Sequence, residues 1–213
     1  MGDPKFPHKK FSKPRHPWEK TRIDEEKEVV KKYGLKNKRE LWRTQAILES
    51  FRAQARYLQA KIRYKDERAT DQFRLMIRRL SRYSILGDNA SLDDVLSLNL
   101  ESILERRFQT LVAKKNLART PKQARQLITH GHVFLNGRRV TIPGILVEGT
   151  EEESIQYSAG SPLLDELHPI RQSILGAGGT AQDDQETEEK GNDEHNANEN
   201  DSGNETEEKG GSK

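Results

Sequence analysis

LARTPKQARQLITHGHVFLNGRRVTIPGILV, residues 117–147, decides how this chain folds. Thr120, Pro121 and Gln123 read as a helix start: a Thr N-cap, Pro at the first helical position, and an N3 amide able to reach back to the cap. Ala124, Leu127 and Ile128 then share one face, to be buried, while Lys122, Arg125, Gln126 and Thr129 share the opposite one. Gly131 is placed to close the helix in the left-handed conformation. Val133 and Leu135 alternate as in a strand, and Asn136-Gly137 is a strong hairpin signal. The combination predicts a small rigid frame of helix and hairpin with a cationic, amide-rich edge, suited to the backbone of a folded nucleic acid.

Downstream of the hairpin, Pro143-Gly144 marks a turn, Ile145–Val147 reads as a strand, and Ile155 and Tyr157 alternate as another. The acidic loop of Glu148 and Glu151–Glu153 is expected to point away from RNA. Ser161-Pro162 starts a short terminal helix holding Leu163, Leu164 and Leu167. On the N-terminal side a helix spans about Leu100 to Lys115, with Leu104, Phe108, Leu111 and Val112 as its buried stripe. Arg107, Thr110 and Lys114 line another face, with Arg106 adjacent.

From Asp24 to Leu86 the apolar spacing is helical. Asp24, Glu25 and Glu26 form an acidic first turn ahead of Val29 and Val30. Leu41, Ile47 or Leu48, Phe51, Ala55, Leu58 and Ile62 recur at three- and four-residue intervals, as do Phe73, Met76, Ile77 and Leu80. Between Lys36 and Arg82 there are 14 bases against 5 acids. Arg39, Arg43, Arg52, Arg56 and Arg63 lie on or beside one face, and Arg74, Arg78, Arg79 and Arg82 follow on the next helix. A merely solvated face would carry acidic partners at i,i+4, so this arginine excess points to phosphate. Gly87-Asp88-Asn89 ends the run, and Ser91 caps a connecting helix with Asp93 and Asp94 in its first turn.

Residues 1–22 hold Lys5, Lys9, Lys10, Lys13, Arg15, Lys20 and Arg22 among four prolines, with Phe6, Phe11 and Trp18 interleaved. Proline at that density predicts an extended arm, which either stays disordered or, the reading preferred, orders on meeting RNA. The expected organisation is α+β: an arm (1–22), a helical domain (23–103), a helix-plus-hairpin domain (104–170), then a linker and disordered acidic tail (171–213). The formal net charge of +3 conceals the division, because Gly176–Lys213 carries 12 acids and 3 bases, a net of −9, leaving +3 − (−9) = +12 for the rest. A body this basic implies a polyanionic partner.

The same composition excludes much. With no cysteine, disulfides and thiolate metal sites are ruled out, which fits a reducing cytosol. No apolar run has transmembrane length and no signal peptide is visible, so the expectation is a soluble cytoplasmic protein with no membrane partner. The six histidines lack Cys partners and HExxH spacing; His130 and His132 flank a glycine and read as RNA-facing or hairpin residues. No phosphate-cradling Gly loop, nucleophile elbow or paired carboxylates in an apolar setting occur, so neither an enzyme nor a cofactor is expected.

ARTPKQARQLITHGHVFLNGRRV (118–140) resembles the αL RNA-binding motif of the S4-domain superfamily, shared by tRNA synthetases, pseudouridine synthases and small stress proteins. PRHPWEKTRIDEEKEVVKKYGLKNKRELWR (14–43) resembles the N-terminal part of archaeal and eukaryotic small-subunit ribosomal protein four, which narrows the choice. Some bacterial relatives carry a Cys-based zinc site that this chain cannot build. The resemblance implies a structural, ribosome-bound constituent of the small (30S) subunit that binds 16S rRNA early at a multi-helix junction. It also implies direct contact with ribosomal protein five and, with ribosomal proteins five and twelve, influence on translational accuracy. The alternative is a free RNA-binding factor acting on stalled or assembling subunits. RNA-binding candidates are Arg106, Arg107, Lys114, Arg119, Lys122, Gln123, Arg125, Gln126, His130, Asn136, Arg138 and Arg139 in the αL unit. Arg39, Arg43, Arg52 and Arg56 in the helical domain join them, with Lys9, Lys10 and Arg15 in the arm. The resemblance carries the role most directly onto Lys122, Arg125, Gln126 and His130. Asn136 serves equally well as the steric requirement of a type I′ turn.

Overall fold

The computed structural model describes residues 9–176; the first eight residues of the arm and the acidic stretch from 177 onward lie outside the described residues. Helix α1 (Lys20–Lys32) begins four residues before the expected acidic turn, so Asp24–Glu26 sit in its second turn. Glu26 turns inward, where it accepts from Arg22 and from Trp42 Nε1 (3.1 Å) and pairs with Lys38 Nζ (3.1 Å). Burial pushes its carboxyl up, but these donors and the Arg22 charge outweigh that and hold it below the ordinary value.

Gly34, at φ +58°, turns the chain out of α1. Asn37 then caps α2 (Lys38–Arg63) by accepting from the Glu40 N–H at 3.2 Å. Of the two readings of the α2 stripe, the structure chooses Leu48 (4% exposed) and leaves Ile47 39% exposed. Asp66 caps α3 (Glu67–Arg82), and Ser91 with Asp94 forms a capping box at α4 (Leu92–Ser97). α2, α3 and α4 bury a core of Leu48, Ala55, Leu58, Met76, Leu80 and Val95.

The single helix expected over 100–115 is two, α5 (Leu100–Glu105) and α6 (Phe108–Lys114). Its stripe is continuous, but the backbone at the junction pairs with the 145–147 segment. Arg107 bridges Leu146, the Phe108 N–H donates to the Ile145 carbonyl (2.9 Å), and the Val147 N–H donates to the Arg106 carbonyl (3.0 Å). Ile145–Val147 is consequently one isolated bridge rather than the strand expected there.

α7 (Pro121–His130) follows the sequence reading closely: Thr120 accepts from the Gln123 N–H (3.2 Å) and Gly131 closes the helix at φ +79°. The Gln123 side chain reaches back one residue further than the cap, accepting from the Arg119 N–H at 2.7 Å. β1 (Val133–Leu135) and β2 (Arg138–Arg139) form the hairpin, with Asn136 and Gly137 both at positive φ as a type I′ turn requires. β3 (Gln156–Tyr157) pairs antiparallel on the other side of β1, giving the order β2-β1-β3. α6, α7 and this sheet enclose Phe108, Leu111, Val112, Ile128, Val133 and Tyr157.

After β3 the chain departs from the expected terminal helix. Pro162–Leu164 is one 3₁₀ turn; Leu163 is buried, while Leu164 (59%) and Leu167 (77%) are exposed. The final described helix, α8, is Pro169–Gly176. Among the described residues, no helix is long and apolar enough to cross a membrane.

Candidate nucleic-acid interface

The cationic residues divide by where their donors go. At the centre, Glu40 of α2 accepts from Arg107 Nη2 (2.8 Å) and, on both carboxylate oxygens, from Arg125 of α7 (Nη1 at 3.2 Å to Oε2, Nη2 to Oε1). The Arg107 side chain is only 6% exposed and the Glu40 side chain 17%. Gln109 of α6, 1% exposed, lies beneath them. Its amide donates to the carbonyls of Tyr33 (3.2 Å), Gly34 (2.9 Å) and Pro121 (2.8 Å), while its oxygen accepts from Arg125 Nη1 (3.3 Å). This network ties the turn at Gly34, the start of α2, α6 and α7 into one body. Burial raises the Glu40 carboxyl, and the hydrogen bonds and charges of Arg125 and Arg107 outweigh burial, so it lies below the ordinary range.

Other candidates are also engaged within the protein. Arg106 Nη1 donates to Glu152 at 2.8 Å, with its side chain 13% exposed. Arg52 Nη2 donates to the Leu98 carbonyl at 2.7 Å. Gln123 is half-buried at the α7 cap. Arg139 lies over Gly131, where a Cβ would meet its Nε at 1.9 Å, and donates to the His130 carbonyl. Asn136 donates through Nδ2 to Glu151 at 2.7 Å, so the acidic loop is bound to the hairpin tip, and Glu152 and Glu148 face Arg106 and Arg82.

The remaining candidates lie on the outside: Lys9, Lys10 and Arg15 in the arm, Arg39, Arg43 and Arg56 along α2, Lys114 on α6, Arg119, Lys122, Gln126 and His130 on or before α7, and Arg138 on β2. Of these, Arg56 and Lys114 form surface pairs, with Glu49 at 3.9 Å and Glu105 at 3.1 Å. Between α2 and α7 runs a groove of about 270 Å³ lined by Glu40, Arg43, Ile47, Arg107, Arg125 and Ile142, among others, so that Glu40 offsets part of its positive charge. Such an array offers fixed cations and amides to a phosphate backbone.

Sequence reasoning passed over Glu40 and Gln109. Both left a signal: an acid alone in an arginine-rich run, and an amide inside the apolar stripe of α6, each needing a specific partner when buried.

Residues 5–105 match the family described as the ribosomal protein S4/S9 N-terminal domain, and residues 106–153 match the S4 domain. Relatives with the name small ribosomal subunit protein uS4 are similar over most of the chain. That of Thermoplasma volcanium is 65% identical over 175 residues, 82% of this chain and 88% of its own length. That of Picrophilus torridus is 63% identical across 83% of this chain and 96% of its own. That of Methanococcus aeolicus is 49% identical across 80% and 96%.

Proposed function

We propose the following role for this chain, which belongs to the uS4 family of small ribosomal subunit proteins: it is a structural constituent of the small subunit that binds 16S rRNA with several surfaces at once. The supporting observation is the Glu40 clasp, which fixes the α7 face and the arginine face of α2 relative to each other. A rigid pair of cationic faces suits a folded junction, whose recognition rests on shape, phosphates and 2′-hydroxyls. Arg39, Arg43, Arg56, Lys122, Gln126, His130 and Arg138 are the proposed contacts, with Lys9, Lys10 and Arg15 from the arm. Arg107 and Arg125 act by holding those faces in place. Early binding in assembly of the 30S body, contact with ribosomal protein five, an effect on decoding accuracy with ribosomal proteins five and twelve, a ribosome-bound cytoplasmic location and the lack of catalytic activity complete the proposal, and rest on family membership.

Sedimentation of a lysate at high salt tests it. Stoichiometric migration with small subunits is expected, since roughly 10 neutralised phosphates make a lone RNA contact fail steeply with salt while an embedded component stays. Recovery in the soluble fraction overturns it.

A further inference from the structure

One cavity differs in kind from the cationic surface. It has a volume of about 240 Å³ and lies between the outer half of α7 and the 162–170 segment. Leu127, Leu163 and Ile170 supply apolar walls, Gln123 and Gln126 supply carboxamides, and His130, His132 and His168 supply imidazoles. No charged Lys, Arg, Asp or Glu lines it. Its far wall lies beyond residue 153, where the match to the S4 domain ends.

Several of its polar groups are already oriented. His132 Nδ1 is 2.9 Å from Ser161 Oγ. His168 Nδ1 accepts from the Ile170 N–H (3.3 Å), so a neutral His168 carries its proton on Nε2. Gln123 Oε1 accepts from the Arg119 N–H, which leaves its NH₂ group as the free end. The rings of His130 and His132 are 6.4 Å apart and tilted by 41°. Among the described residues, no three His, Asp or Glu are grouped to hold a metal ion.

We propose that this cavity receives one unpaired base of the bound RNA, packed against imidazole and apolar walls and read by the carboxamides of Gln123 and Gln126. The proposal rests on the RNA-binding role given above. Unstacked bases are recognised by stacking on flat side chains together with hydrogen bonds to their edges, and amides and imidazoles supply both donors and acceptors. A cavity lined by no Lys, Arg, Asp or Glu at the margin of a cationic face suits that division: phosphate stays outside on the cations while the base enters. Gln126 and His130 are shared, lying both on the exposed face of α7 and on the cavity rim.

The test uses the full chain bound to a 16S rRNA transcript, with base-specific chemical probing and hydroxyl-radical footprinting run side by side. Two variants alter the cavity: His168→Ala removes a half-buried imidazole that is not among the proposed phosphate contacts, and Ile170→Trp fills the space from a half-exposed position, so neither disturbs the core. Wild type is expected to protect at least one unpaired base that both variants leave reactive. The backbone footprint and salt dependence stay as they were, and affinity falls by about 5- to 150-fold, the range for losing one stacked base. A backbone footprint with no base sensitive to either variant overturns the proposal and leaves the RNA-binding role standing. Absence of any footprint overturns both. A His130 cross-link to protein rather than RNA in the assembled subunit assigns the cavity to a partner side chain and overturns the proposal alone.

Discussion

The arginines of α2 and α3 and those around α6 and α7 look alike in sequence and have opposite fates. On the first pair of helices Arg39, Arg43, Arg56, Arg74 and Arg78 are exposed. Arg52, on the Leu98 carbonyl, and Arg82, beside Glu148, are the exceptions that reach beyond their helices, while Arg56 and Arg74 pair with acids of their own helix (Glu49 at 3.9 Å, Asp71 at 3.5 Å). Pairs of that kind contribute well under 1 kcal/mol, about 0.3–0.5 on a helix face. Around α6 and α7 the partners come from far along the chain: Glu40 is 67 residues from Arg107 and 85 from Arg125, and Glu152 is 46 from Arg106. Helical spacing therefore identifies a cationic face but not its use. What decides the use is whether the fold brings a carboxylate across from another element and excludes water from the pair.

The sharpest way to break this contrast is Glu40→Ala. It leaves Arg107 buried and Arg125 half-buried without their anion, a loss of about 3–5 kcal/mol for breaking one side of a buried pair. Denaturant unfolding should show it as a lower midpoint at unchanged slope. A cost near that of a surface pair, about 0.5 kcal/mol, removes the distinction between the two regions.

Next in size is Gly34→Ala. Gly34 has φ +58°, and an added Cβ would stand 2.8 Å from Pro121 Cβ and 3.0 Å from Gln109 Nε2, at the place where α1 meets α7. Left-handed strain and crowding together are expected to cost about 2 kcal/mol. A neutral result means the Gly34 turn can move away from α7 freely, so the two regions are not held as one body.

The outcome at α7 and the hairpin was readable beforehand because its determinants are local. Thr120, Pro121, Gly131 and Asn136-Gly137 each fix a few dihedral angles through near neighbours. The break at Arg106–Arg107 was not readable, since the apolar stripe runs through it unbroken; only pairing with residues 145–147 shows why the helix stops. The same holds for Arg125. Its sequence position gives an outward-facing cation beside Lys122 and Gln126, and only the arrival of Glu40 redirects it. Arg139 is a milder case: exposed, yet laid across Gly131 to cap the end of α7.

Acid titration gives a smaller effect with a definite sign. The folded Glu40 carboxyl lies below its ordinary 4.5, so its contribution is present above that value and is lost as pH falls through the folded one. Glu40→Gln removes the charge and keeps an acceptor. The stability gap between wild type and this variant should stay level from neutral pH down to about 5 and narrow below the ordinary glutamate value. A gap that holds constant into strong acid means that the arginines are held by something other than an ionised Glu40.

The smallest stability effect is expected on the exposed arginine face of α2. Arg39→Ala and Arg56→Ala should each leave the unfolding free energy within about 0.5 kcal/mol of wild type, as exposed positions with at most a loose ion pair. Binding to 16S rRNA should respond in the other direction: affinity falls, and the slope of log K against log salt flattens by about one for each phosphate that is no longer neutralised. Arg125→Ala provides the contrast, because its loss of affinity should track the fraction unfolded and recover when the protein is stabilised. An Arg39 or Arg56 variant that lost stability without changing the salt slope would place those arginines with the clasp, and the external face of α2 would then be a structural surface rather than a grip on RNA.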